Sequence, residues 1–245
     1  MMFELDHHRK IIAILNALDA DFFQEIGACF GGGTLLALLY GEYRWSKDID
    51  FICPVGEGYR KLRTALAERG YDALFKDTSH INLPRDFKAD QYGVRFTVGI
   101  EDLLIKFEIV AEGRIKLEKP ACYDWCPVPC LSFADSCTEK LLSNADRWPD
   151  AAVKSRDLID LAMLRLKSAI PANAISKAET AYPVVNPLIK ALERFQGNAN
   201  YRRECFAALQ VKKPAQIVDG IDLLASDQGI QVTQRTFAES DVLGG

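Results

Sequence analysis

An apolar segment, Phe22 to Phe30, runs into three successive glycines, Gly31-Gly32-Gly33, and a short distance on two acids alternate with apolar residues in Asp48-Ile49-Asp50-Phe51. The first segment reads as a buried strand, the glycines as a turn, and Thr34 to Tyr40 as a short apolar helix beginning at that turn. Asp48 to Ile52 then alternates as a second strand, with both carboxylates on one face and Ile49 and Phe51 in the core. Two like charges so close repel each other, and a hard divalent cation resolves that repulsion. The glycine turn supplies the complementary half. Backbone N–H groups of Gly32 and Gly33, the helix dipole and the Thr34 hydroxyl can meet phosphate oxygens.

The familiar phosphate signatures fail here. No Gly-Lys-Ser/Thr is present, so the turn is not a P-loop, and Leu36 stands where a G-x-G-x-x-G counted from Gly31 needs its third glycine.

Elsewhere, Asp6 to Ala20 and Gly58 to Gly70 have helical periodicity, and Tyr92–Val98 with Leu103–Val110 form a period-two hairpin. Pro120 to Pro129 is read as a separator, and helices are expected near 133–147, 149–167, 172–181, 187–196, 201–210 and 214–226. The fold class is therefore α/β (α+β): a mixed sheet with flanking helices in a domain 1–119, then an all-helical domain 120–245.

The glycine turn followed by D-x-D resembles the nucleotidyltransferase superfamily. More specifically, Gly32-Gly33-Thr34, Arg44-Trp45-Ser46 and Asp48-Ile49-Asp50-Phe51 resemble the G-G-T, R-x-S and D-I-D-F elements of the AbiEii-type nucleotidyltransferases, the toxin component of type IV toxin-antitoxin systems. Ile105-Lys106-Phe107-Glu108-Ile109 matches a later strand, which makes Glu108 the candidate third metal ligand. Glu139-Lys140-Leu141-Leu142-Ser143 and Arg156-Asp157-Leu158-Ile159-Asp160-Leu161 resemble the E-K-L-x-A and R-D-x-x-D-L motifs, with Ser143 in place of alanine. The resemblance implies that Lys140 meets the nucleotide phosphates, that Asp157 shapes the same site, and that Arg44 and Ser46 belong to the nucleotide-binding set.

The chemistry so implied moves a nucleoside monophosphate from an NTP to an acceptor hydroxyl with Mg2+ or Mn2+. Asp48, Asp50 and Glu108 would hold two ions ~3.5 to 4 Å apart. By resemblance the acceptor is the 3' end of tRNA and the partner an antitoxin, in a toxin-antitoxin or phage-defence setting. Two other functions fit the same residues: transfer to a small molecule or protein, and a silent NTP-binding module. Each motif also has a bland reading. D-x-D can be a solvated strand end, Lys140 and Arg147 can pair with Glu139 and Asp146, and Arg156 can pair with Asp160 four residues on.

Composition narrows the partners. The 245 residues carry 30 Lys plus Arg against 34 Asp plus Glu, a net charge of -4, so the chain does not advertise a polyanion partner. Acid near the start, in Met1-Met2-Phe3-Glu4-Leu5-Asp6, and the five glycines between Ile26 and Gly41 argue against export and against a membrane span, so a cytoplasmic protein is expected. Seven cysteines read as reduced thiols; the spacing of Cys122, Cys126 and Cys130, with no histidine nearby, is poor for zinc. His7, His8 and His80 belong to no catalytic motif.

Overall fold

The computed structural model describes residues 3–232. The reading of the amino terminus rests partly on Met1 and Met2, which lie outside the described residues. Among the described residues no helix is long and apolar enough to cross a membrane.

The chain divides into two compact units. One contains the residues up to Leu38 together with Ser46–Phe133, and the other Leu39–Trp45 with the residues from Ala134 on. The division therefore falls later than the expected 119/120. The Pro120–Pro129 stretch is not a separator: it forms β6 (Ala121–Tyr123) and β7 (Cys126–Cys130), an antiparallel pair whose second strand joins the sheet. Pro127 and Pro129 lack N–H groups, but β7 still pairs in parallel with β1 (Cys29–Gly31) through Phe30 and Cys130.

The first unit is built on a mixed seven-stranded sheet of order β3-β4-β5-β2-β1-β7-β6, where β2 is Ile49–Pro54, β3 Lys88–Ala89, β4 Gly93–Ile100 and β5 Leu103–Glu112. The hairpin β4–β5 appears where period-two alternation placed it. The sheet has two chemically distinct faces. Phe51, Phe107 and Phe96 stand on one, with ring centroids 5.4 Å apart for Phe51–Phe107 and 4.6 Å for Phe96–Phe107, and Phe23 closes on Phe51 at 4.5 Å. Asp50, Arg95, Lys106 and Glu108 occupy positions of the opposite parity on the same strands.

The expected strand Phe22–Phe30 is mostly wrong. Ala20–Glu25 is helix α2, following α1 (Asp6–Ala17), and only Cys29–Gly31 is extended. Asp19 decides this locally by accepting from the Phe22 N–H at 3.1 Å, which caps a helix that buries Phe22 and Phe23. Gly27, with φ +65°, then breaks it. Helix α3 is Gly32–Leu39, and α4 is Glu57–Arg69.

The second unit is helical: α5 (Phe133–Arg147, its first residue counted with the sheet), α6 (Arg156–Lys167), α7 (Ala172–Ala181), α8 (Val185–Gly197), α9 (Ala199–Ala208) and α10 (Pro214–Asp227). The expected helix 149–167 begins later, because Lys154 and Ser155 both take left-handed conformations (φ 54° and 50°) and interrupt the chain before Arg156. Helices α6 and α10 cross closely at Gly220, where a Cβ would stand 2.4 Å from the Ala162 carbonyl oxygen.

Candidate active site

In the first unit, the pairing of β1 with β2 sets Gly31 opposite Asp50. Gly32 follows with φ +69°, and a Cβ there would lie 2.7 Å from Asp50 Oδ2. Glycine is thus required at this position twice, by the backbone conformation and by a carboxylate lying against the turn. The start of α3 and an acid meet at one point. Asp48 and Asp50 are both half-buried; Asp48 stands immediately before β2 rather than in it.

The loop carrying Asp48 is held from two sides. Thr34, 1% exposed, donates its hydroxyl to the Asp48 carbonyl oxygen at 2.5 Å and accepts from the Ser46 hydroxyl at 2.8 Å. A hydroxyl has one proton, so Thr34 uses it to fix the aspartate loop; the phosphate-donor role expected of it is not the arrangement seen. On the other side, the Nε2–H of His8 donates to the Ser46 carbonyl and that of His7 to the Lys47 carbonyl, both at 3.0 Å. Burial lowers the His7 pKa from its ordinary value. Sequence reasoning missed both histidines. Their only signal was a polar pair at the start of an apolar helix, which nothing in the sequence ties to a loop about forty residues away.

Glu108 stands on β5 at the register of Asp50 in the neighbouring parallel strand. Its oxygens are engaged by Arg95 Nε at 2.6 Å and Lys106 Nζ at 2.5 Å. Burial alone would raise its pKa, but Lys106 and Arg95 outweigh this and hold it below the usual carboxylate value. Among the described residues no three His, Cys, Asp or Glu side chains are grouped so as to hold a metal by themselves. A pair of hard carboxylates still fits Mg2+ or Mn2+. Mg2+ keeps several waters and takes one or two protein carboxylates plus substrate phosphates, and Asp48 and Asp50 beside a helix start provide that incomplete set.

In the second unit, the remaining motif residues converge on Asp160, which is fully buried. Arg44 forks onto it, with Nε to Oδ1 at 2.6 Å and Nη2 to Oδ2 at 2.8 Å, and Tyr43 donates to Oδ1 at 2.5 Å. Lys140 Nζ lies 2.6 Å from Asp160 and 3.2 Å from Asp157, and Arg147 grips Asp157 with Nε at 2.9 Å and Nη2 at 2.8 Å. Burial would raise both carboxyls. The charges of Arg44 and Lys140 on Asp160, and of Lys140 and Arg147 on Asp157, hold them below their ordinary values instead. Among these five groups, three cations face two carboxylates.

Lys140 and Arg147 both engage Asp157, and Asp160 meets Arg44, Tyr43 and Lys140, partners that the sequence pairings did not include. Arg44 and Ser46, two residues apart, serve different clusters, Ser46 with Thr34 and Arg44 with Asp160. Asp160 was legible as part of a motif, but its position at the centre of the cluster was not.

No curated protein matches the chain significantly. Its fold is similar to that of a H. pylori protein described as a nucleotidyltransferase (18% identity, TM-score 0.52, covering 89% of this chain and 92% of that one). It is also similar to JHP933 from Helicobacter pylori (18% identity, TM-score 0.51, covering 91% and 92%). At that identity the likeness shows the fold. Function comes from the family model described as nucleotidyl transferase AbiEii toxin, type IV TA system, which matches residues 13–209 and so spans the glycine turn, both aspartates and the Lys140–Asp160 cluster. The chain belongs to the AbiEii family of nucleotidyltransferase toxins.

Proposed function

We propose that this nucleotidyltransferase moves a nucleoside monophosphate from an NTP to the 3'-terminal hydroxyl of tRNA, with Mg2+ or Mn2+, and that an antitoxin protein restrains it. The observation that carries the site assignment is the juxtaposition of Asp50 with the Gly31-Gly32 turn at the start of α3. A phosphate held at the helix start and the Asp50 carboxylate beside it repel each other, and a cation bound between them would relieve that repulsion.

Asp48 and Asp50 would hold the cation, and Glu108 would complete the set on releasing Lys106 or Arg95. Such a cation supplies a lowered pKa for the attacking hydroxyl and charge compensation for the leaving pyrophosphate. The acceptor oxygen forms a bond to the α-phosphorus, the bond to the pyrophosphate oxygen breaks, and the hydroxyl proton is lost to solvent.

The chain's own groups position the reactants. Backbone N–H groups at Gly32 and Gly33 meet phosphate oxygens, while Thr34, Ser46, His7 and His8 keep the Asp48 loop in place. Lys140 meets the triphosphate, positioned by Asp157 and Asp160, and Arg44 acts through Asp160 rather than on the nucleotide. No histidine is asked to transfer a proton.

The test is incubation with each labelled NTP, Mg2+ and total RNA, intact or oxidised at its terminal hydroxyls. Label should join tRNA-sized RNA and vanish on oxidation. Equal labelling of oxidised RNA, or label only on protein or a small metabolite, would reject the tRNA acceptor while leaving the transferase assignment standing.

A further inference from the structure

Cys126 and Cys130 lie four residues apart in β7, a spacing that in a regular extended strand separates Cα atoms by about 13 Å. Yet their sulfurs are 3.5 Å apart, with the Cys130 thiol directed at Cys126 Sγ. The strand itself explains this. Pro127 and Pro129 cannot donate to the ladder, the pairing of β6 with β7 slips between Ala121 and Tyr123, and the Cys130 thiol also approaches the Val128 carbonyl at 3.6 Å. Cys130 opposes Ala121 and Cys126 opposes Tyr123, so three residues of β7 stand against one of β6 and the strand bulges between the two cysteines. Cys126 is 6% exposed and Cys130 fully buried, whereas Cys122 on β6 is open to solvent.

We propose that Cys126 and Cys130 are a covalent modification site that closes to a reversible disulfide under a peroxide oxidant. The sulfurs already touch, so rotation about the Cα–Cβ bonds, with slight further bending of the bulge, supplies the remaining approach. Cys126 is the attacking sulfur. The hydrogen bond it accepts from Cys130 favours its thiolate and lowers its pKa, against the opposing effect of burial. Its thiolate attacks one peroxide oxygen, giving a sulfenic acid and water; Cys130 then attacks that sulfur, loses its proton, and a second water leaves. Two thiols and one hydrogen peroxide become one disulfide and two waters.

The pair lies next to the strand that carries the glycine turn. Cys130 registers with Phe30, and the Leu131 N–H donates to the Phe30 carbonyl at 2.9 Å, two residues before Gly32. β7 is thereby hydrogen-bonded to the strand that leads into the glycine turn.

Full-length reduced protein treated with hydrogen peroxide, blocked with an alkylating agent and digested should yield a single peptide in which Cys126 and Cys130 are joined and both escape alkylation. Dithiothreitol should restore both. Since Cys130→Ser disturbs a buried position, the control is the exposed Cys122→Ser, in which the same link should form to the same extent. Alkylation of both Cys126 and Cys130 after peroxide, or a link that uses Cys122 and is lost in Cys122→Ser, would overturn the proposal.

Discussion

Asp50 lies against the glycine turn that starts a helix, where a bound cation would share its carboxylate, so neutralisation should separate chemistry from folding. Asp48→Asn or Asp50→Asn should fold as well as wild type and lose transfer by at least ~10³, because one lost ligand removes several kcal/mol of transition-state stabilisation. Initial-rate assays at saturating Mg2+, with unfolding curves on the same samples, check this; near wild-type transfer in a folded variant would discard the ligand assignment. Asp160→Asn should behave in the opposite way. It takes from Arg44 its buried counter-charge and from Lys140 the nearer of two, and breaking such a cluster costs about 3 to 5 kcal/mol, readable by denaturant titration. The pH dependence follows from the same shifts. Asp157 and Asp160 titrate below their unfolded values near pH ~4, so the stability they contribute is complete above that pH and is lost as pH falls through the folded-state values. The wild type should therefore lose stability below about pH 4 more steeply than Asp160→Asn.

At the scale of elements, the two glycines at close approaches make separate predictions. Gly32→Ala forces an L-residue to φ +69° and drives Asp50 from the turn, so activity should fall by more than the ~1 to 2 kcal/mol stability cost of a left-handed alanine would suggest. Gly220→Val should instead loosen α6 against α10 and lower the melting temperature without a first-order effect on metal dependence. Elements whose pattern is local were legible. The β4–β5 hairpin, α5, α7 and the aspartate strand appear within a few residues of their expected bounds. What escaped depended on distant partners or on competing local chemistry. Asp19 converts an apolar run into a capped helix, and a Pro- and Cys-rich stretch becomes two strands because β1 offers an edge to pair with. In the candidate site, residue types and spacing singled out Asp48, Asp50 and the glycine turn, and the fold sets Asp50 against Gly32. That Thr34 would serve the Asp48 carbonyl, and that His7 and His8 would hold the same loop, required the tertiary fold.

At the scale of the whole molecule, a net charge of -4 leaves little sequence-independent attraction for nucleic acid. Each phosphate contact contributes roughly 0.7 to 0.9 to the slope of log affinity against log salt, so tRNA binding through a few cations should show a slope of only about 2 to 5, measurable by filter binding across a salt series. A steeper slope would mean a larger basic footprint than proposed. The central claim is that the turn-and-aspartate site transfers nucleotidyl groups, and the measurement that tests it most directly is pyrophosphate release from each NTP with Mg2+ and total RNA, comparing wild type with Asp50→Asn. Release by the wild type with at least one NTP, abolished by chelating the metal and reduced at least ~10³-fold in the folded variant, is the expected result. Equal release by wild type and Asp50→Asn, or none from the wild type with any NTP, would contradict the account.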